Sequence, residues 1–261
     1  MPSQAFRTRM HTPRFHCPLP VSAGVPLNLP APTAHHAVRV LRLQTGTAVV
    51  LFDGSGAEYL AELTVTGKDS ASVLPGPARF PAVESPLPVW LGQGLSQADK
   101  FDLVLQKSVE LGVSALTPLA LQRSLVRLDA ERGAKRLAHW QGVVVAACEQ
   151  SGRVRVPRVD GQHTLAQWIA GLPVGALRLR LAPEATLDVA ALELLAQGVV
   201  LAVGPEGGFD PAEVAQLDAA GFVGVRLGPR ILRTETAALA ALAALQAWHG
   251  DFRATGPIIV E

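Results

Sequence analysis

The chain has 261 residues, a formal net charge of +1, and 49% hydrophobic against 17% charged residues. That balance excludes a disordered chain, a collagen-like repeat and a coiled-coil rod, and the length suits one large or two modest domains with real cores. Two cysteines, Cys17 and Cys148, are too few for a disulfide framework, and the absence of a signal-like apolar segment or a long apolar run points to a cytoplasmic protein.

The net charge hides its distribution. No acid precedes Asp53, whereas Arg7, Arg9, Arg14, Arg39 and Arg42 do, and residues 121–158 repeat the basic bias before an acidic last hundred residues. Arginine dominates: of 23 basic residues only Lys68, Lys100, Lys107 and Lys135 are lysines. Planar guanidinium groups bind phosphate in pairs of hydrogen bonds and stack on bases, so the two clusters are compatible with a nucleic-acid surface.

A short strand around Arg14–Cys17 opens the chain. Thr33 then offers an N-cap for a helix with His35, Arg39 and Arg42 on one face. Ala48–Phe52, the Asp53-Gly54 turn, Glu58–Val65 and Ser70–Leu74 read as short antiparallel strands, so residues 1–75 predict a small β-barrel or β-sandwich. The prolines between Pro75 and Pro88 mark a linker. Beyond it strands alternate with helices: Leu87–Gln93, a helix over Gln97–Leu111 capped by Ser96, Ala115–Pro118, and a long helix around Ala134–Glu149 with Leu137, Trp140, Val144 and Cys148 at helical spacing. That spacing makes Cys148 packed core rather than a nucleophile. Ala176–Leu181, Gly198–Val203 and Phe222–Leu227 are apolar enough for buried strands of a parallel sheet, and a last helix spans Thr234–Trp248.

The three late strands all stop at proline-containing loops: Ala182-Pro183-Glu184, Gly204-Pro205-Glu206-Gly207-Gly208 and Gly228-Pro229-Arg230. Ligands of open parallel sheets lie outside the carboxyl ends of strands, so three rigid exits side by side predict one pocket rich in exposed backbone groups. Asp210, Pro211 and Glu213 form a capping box after the second exit. The third leads to Ile231 and Leu232, able to sandwich a flat ring, and to Arg233-Thr234-Glu235 at a helix start; capping by Thr234 with a solvated Arg233–Glu235 pair is the plainer alternative. Gly92-Gln93-Gly94 lacks the third glycine of a dinucleotide fingerprint, which disfavours a nucleotide-dependent dehydrogenase. His35 and His36 are adjacent and make a poor metal pair, and no GxSxG or Walker A motif occurs, so no metal is expected.

Several blocks in order carry a family resemblance: PRFHC (13–17), HHAVRVLRL (35–43), LFDGSG (51–56), QKSVELGVSALTPL (106–119), AACEQSGRVRVP (146–157), AVGPEGGF (202–209) and LGPRILRTETAALAAL (227–242). Along nearly its whole length the chain resembles the bacterial 16S ribosomal RNA methyltransferases of the SPOUT superfamily that modify N3 of the uridine at position 1498. The resemblance implies a PUA-like RNA-binding β-barrel over 1–78, then an α/β SPOUT methyltransferase domain over 86–252 with a C-terminal trefoil knot, acting as a homodimer on 16S rRNA in the 30S subunit. It implies S-adenosylmethionine bound by the knot loops at Leu181, Pro183, Val203, Gly204, Pro205, Glu206, Gly207, Gly208, Leu227, Gly228, Ile231 and Leu232. Arg233 is then the residue expected to stabilise charge on the target base, with Glu149 or Glu235 as base or as partner of an arginine. Arg14, His36, Arg39, Arg42, Lys107, Arg123 and Arg153 are the expected RNA contacts. Two alternatives stay open: a methyltransferase of another RNA, tRNA or 23S rRNA, and a catalytically silent RNA-binding protein.

Overall fold

The computed structural model describes residues 12–188 and 197–252; Arg7, Arg9 and the tail from Arg253 lie outside the described residues. The described chain separates into two compact units, one of residues up to Glu84 together with Cys148–Val156, the other of Ser85–Ala147 and the residues from Pro157 onward.

The first unit is a five-stranded sheet in the order β1-β3-β4-β5-β2, from β1 (Arg14–His16), β2 (Leu27–Asn28), β3 (Ala48–Phe52), β4 (Glu58–Gly67) and β5 (Ser70–Arg79). The long neighbours β3, β4 and β5 are antiparallel, as the alternation predicts, but β1 runs parallel to β3. Alternate residues Val49, Leu51, Ala61, Leu63, Ala71 and Val73 bury one face with Phe15 and Leu29, and Ala34 and Ala37 of the helical segment close over it. β5 runs on through Pro75 and Pro77 where the proline count predicts linker. Its second neighbour β2 reaches only Ser72 and Val73, so the prolines sit where that side of the strand asks for no ladder donor.

Helix α1 (Ala31–His35) starts one turn earlier than the Thr33 cap predicts, with Pro32 in its first turn, and passes into a π-helical turn over His36–Val40. Arg42 is left outside it at φ 53°, the only described non-glycine residue with positive φ. His35, Arg39 and Arg42 therefore do not form one helical face.

The second unit is a parallel sheet in the order β12-β10-β11-β6-β7-β8, with β9 also on β7. Its strands are β6 (Val89–Gly94), β7 (Ala115–Ala120), β8 (Arg158–Val159), β9 (His163–Thr164), β10 (Leu177–Leu181), β11 (Val199–Val203) and β12 (Val223–Val225). β11 is buried along its whole length, whereas β10 and the edge strand β12 are only partly so, a difference that follows from their place towards the margin. Helices α2 (Ala98–Glu110), α3 (Ala130–Ser151), α4 (Leu165–Ala170), α5 (Pro211–Ala219) and α6 (Thr234–His249) complete the helical set of the described residues, the end of α3 from Cys148 belonging to the first unit. On α2 the buried Phe101, Val104, Leu105, Ser108 and Val109 recur at three- and four-residue steps, and on α6 Ala238, Ala241, Leu242 and Leu245 do the same. Ser96 does not cap α2: it is buried and its hydroxyl has no protein partner, while Gln97 takes the cap position without a side-chain bond. None of the described helices is long and apolar enough to cross a membrane.

Candidate active site

Three loops leave the carboxyl ends of neighbouring strands β10, β11 and β12 and enclose one cavity of about 670 Å³. Leu181 and Pro183 come from the first loop, Val203 through Gly208 from the second, and Leu227, Gly228, Ile231 and Leu232 from the third. All twelve residues expected around a cofactor thus border a single space. Ile231 stands at the rim, 87% exposed.

Local chemistry explains the loop shapes. The Asp210 side chain accepts from Ala212 N at 2.7 Å, and Asp210 N donates to Glu213 at 2.8 Å, a capping box that fixes the start of α5 and so the return of the second loop. Gly208 and Gly228 have φ of 69° and 68°, where a side chain is strained. Gly94 permits another close approach: a Cβ there would stand 2.5 Å from Pro205 N. Gly92 likewise leaves room for the indole of Trp168. The Gly92-Gln93-Gly94 run is therefore a packing device, which accounts for it without any dinucleotide.

Thr234 joins the second and third loops. It is 6% exposed, its hydroxyl donates to Gly204 O at 2.6 Å, and it accepts from Gln93 Nε2 at 2.9 Å; Gln93, itself fully buried, also donates to Gly94 O. The α6 N-cap position belongs to Arg233, so Thr234 ties loops together rather than capping the helix. Among the described residues no ion pair joins Arg233 to Glu235. Arg233 is exposed on the cavity wall, whereas Glu235 is outside the lining, with one carboxylate oxygen enclosed and unpartnered.

Other lining residues carry no motif of their own. Lys100 of α2 pairs with Glu206 at 3.4 Å, and Arg180 of β10 pairs with Asp218 at 3.0 Å; both cations border the cavity. Arg123, expected on RNA, lines this cavity and donates to Gly207 O at 3.0 Å. Its side chain also crowds Gly207, where an added Cβ would meet Arg123 Cβ at 3.0 Å. Such partners come from distant chain positions, and only the three-dimensional fold reveals them.

The other expected RNA contacts are not among the residues lining this cavity. Two of them are paired within the first unit. Arg14 has 11% side-chain exposure, pairs with Glu58 at 2.8 Å, lies over the Phe52 ring and donates to Gly152 O. Arg153 is 7% exposed, and its guanidinium meets Glu84 through two nitrogens at 2.9 and 2.7 Å. Both guanidinium groups are thus paired with carboxylates of the first unit. Arg39 is exposed and shares Asp69 with His35, which holds the Asp69 carboxyl below the usual range through its hydrogen bond with Arg39. Arg42 is exposed, His36 is half-buried edge-on to Phe15, and Lys107 pairs with Glu110 at 2.8 Å.

Glu149 belongs to the first unit and is not part of the cavity lining. It accepts from His16 N at 2.9 Å; burial pushes its carboxyl up, opposed by that hydrogen bond and by the charges of His36 and Arg14. Burial likewise pushes the Cys148 thiol up to about 12.

Comparison with known proteins places this geometry. Residues 83–246 match the family model of the RNA methyltransferase domain, and residues 29–75 that of the RNA methyltransferase PUA domain. The solved structure of ribosomal RNA small subunit methyltransferase E from Neisseria gonorrhoeae, bound to S-adenosyl methionine, is 41% identical, with a TM-score of 0.87 over 93% of this chain and 100% of that one. Relatives of the same name from Bacillus subtilis, 35% identical over 81% of this chain and 86% of their own, and from Buchnera aphidicola of Schizaphis graminum, 30% identical over 92% and 97%, extend the likeness. The chain belongs to the ribosomal RNA small subunit methyltransferase E family, with a PUA domain followed by an RNA methyltransferase domain.

Proposed function

We propose that the protein transfers a methyl group from S-adenosylmethionine to N3 of uridine 1498 of 16S rRNA in the 30S subunit, as a cytoplasmic homodimer whose cofactor loops are threaded as a trefoil knot. The observation that carries this reading is the convergence of three loops on one cavity, in a chain whose S-adenosyl methionine-bound relative aligns over its full length.

The residues present fit the cofactor. Apolar walls from Leu181, Val203, Leu227 and Leu232 suit an adenine ring, and the glycines of the second loop expose backbone groups that a side chain would cover. When bound, S-adenosylmethionine supplies a methyl group already activated by its sulfonium. The protein's task is then to align that carbon with the attacking nitrogen and to exclude water. Thr234 and Gln93 hold the Gly204 turn in place for this, so little reorganisation is left for the moment of reaction.

Uracil N3 carries a proton at neutral pH and becomes nucleophilic as that proton leaves and negative charge spreads to O2 and O4. Arg233 on the cavity wall is the group to stabilise that charge. Glu235, at the start of the same helix, is the carboxylate nearer in sequence for orienting it. Arg39, Arg42 and Lys107 present the cations for the RNA backbone, with His36 a further contact, and Arg123 acts at the cavity instead. Titration calorimetry with S-adenosylmethionine tests the reading: one site per chain supports it, whereas no heat together with retained RNA binding marks a catalytically silent RNA-binding protein.

A further inference from the structure

We infer that the loop cavity takes RNA phosphate beside its cofactor, so that RNA and S-adenosylmethionine strengthen each other's binding, while the spent cofactor, S-adenosylhomocysteine, gives RNA no such support. The inference rests on the methyl-transfer reading and concerns what holds the two substrates together.

Six basic side chains border the cavity, Lys100, Arg123, Arg180, Arg226, Arg230 and Arg233, against two carboxylates, Glu184 and Glu206. The carboxylates are already engaged. Glu206 pairs with Lys100 at 3.4 Å, and Glu184 lies 3.5 Å from Arg180, which also meets Asp218. Arg123 donates to the Gly207 carbonyl, a neutral partner that leaves its charge in place. Arg226, Arg230 and Arg233 follow β12 and are exposed. Among the described residues no carboxylate pairs with any of these four arginines.

That excess does not suit the cofactor alone. S-adenosylmethionine carries a carboxylate, an ammonium and a sulfonium, so it enters as a net cation, and its single carboxylate cannot neutralise four arginines. A cavity of about 670 Å³ is about 11 Å across when taken as a sphere, close to the screening length of about 8–10 Å in ordinary salt, so guanidinium groups on its border act on a sulfonium inside it. Their effect is repulsive. A ligand that brings several negative charges to the border removes the repulsion, and for an RNA methyltransferase domain that ligand is the phosphate backbone on either side of the target nucleotide. Each ligand then tightens the other by the same factor.

Methyl transfer changes this balance. The bond from sulfur to the methyl carbon breaks with its electron pair left on sulfur, the carbon bonds to the uracil nitrogen, and the proton of that nitrogen passes to solvent. The cofactor is thereby converted from a net cation to a neutral zwitterion. S-adenosylhomocysteine has no repulsion to be relieved, so it suits the RNA-free cavity better and no longer tightens RNA, which favours departure of the methylated product.

Calorimetry on the full-length protein compares S-adenosylmethionine, S-adenosylhomocysteine and sinefungin, in which a protonated amine stands in for the methylsulfonium and nothing is transferred. Each is titrated with and without a 16S rRNA fragment containing the target uridine. Without RNA in low salt, S-adenosylhomocysteine is expected to bind about fivefold more tightly than either charged ligand, and the gap to narrow as salt is raised. The RNA should tighten sinefungin about fivefold or more, and sinefungin the RNA by the same factor, whereas S-adenosylhomocysteine and RNA should affect each other by less than about twofold. Arg230→Gln should tighten sinefungin in the absence of RNA and shrink the RNA effect, with Arg230→Lys behaving as the parent; a merely structural residue would weaken sinefungin and S-adenosylhomocysteine alike. If Arg230→Gln fails to fold, Arg226→Gln and the salt series on the unaltered protein decide. Equal binding of sinefungin and S-adenosylhomocysteine at every salt concentration, or no response of sinefungin to RNA, overturns this inference and leaves methyl transfer standing. Absence of binding by all three ligands overturns both.

Discussion

The Thr234 hydroxyl donates to the Gly204 carbonyl at 2.6 Å while receiving the Gln93 amide at 2.9 Å, so one side chain at the start of α6 sets the shape of the loop after β11. Thr234→Val keeps the volume and removes both bonds, leaving the Gly204 carbonyl and one N–H of the Gln93 amide without this partner in a buried place, at a cost of about 1–3 kcal/mol each. Affinity for S-adenosylmethionine is expected to fall about tenfold or more by calorimetry, and Thr234→Ser to restore most of it. Unchanged affinity in the valine variant would show that the loop holds its shape without this tie.

Arg233 tests the chemistry rather than the binding. Arg233→Ala is expected to retain cofactor affinity within about threefold and to lose methyl transfer to 30S subunits by about a hundredfold or more, the scale of one lost charge-stabilising donor. Equal turnover by variant and parent would remove Arg233 from the mechanism.

Glu84 is the anchor of the first unit. Its carboxylate accepts from Arg153 through two nitrogens and from the backbone N–H groups of Val154 and Arg155 at 3.0 and 2.9 Å. Breaking such a buried pair from one side typically costs about 3–5 kcal/mol. Glu84→Ala should lower the urea midpoint accordingly, and a change under about 1 kcal/mol would mean that the Cys148–Val156 segment is held by packing instead.

The strand exits were legible because proline and glycine at the ends of apolar runs have few other uses, and Asp210 with Glu213 made the capping box readable from spacing alone. What spacing could not show is where charge is neutralised. Arg14 and Arg153 count as surface cations in a linear tally, yet Glu58 and Glu84, 44 and 69 positions away, bury them. The return of Cys148–Val156 to the first unit has no composition signal, because it is made by those same long-range pairs. Thr234 likewise reads as a helix cap until Gly204, 30 residues earlier, is seen against its hydroxyl.

Glu149 gives a pH test with a definite sign. Burial raises its folded pKa above the usual 4.5, so the folded state keeps the proton to higher pH than the unfolded chain does. Its favourable contribution is complete below the unfolded value and is lost as pH rises through the folded one. Glu149→Gln, which preserves an acceptor for His16 N, is expected to match the parent in stability at acid pH and to exceed it at neutral pH. Greater loss of stability at neutral pH would contradict the dominance of burial.

Cys148 should be inert. A thiol pushed up to about 12 holds almost no thiolate at neutral pH, so in the native protein its alkylation by iodoacetamide should be at least tenfold slower than after unfolding. Labelling at the unfolded rate would show that the end of α3 opens freely.

The proposed reaction is methyl transfer to one uridine of 16S rRNA. Incubation of 30S subunits, and separately of naked 16S rRNA, with labelled S-adenosylmethionine and the protein, followed by mapping of the modified base, tests it most directly. Label is expected on N3 of uridine 1498, with the 30S subunit as the better substrate. Cofactor binding without transfer to 16S rRNA, or label on another RNA, would contradict it.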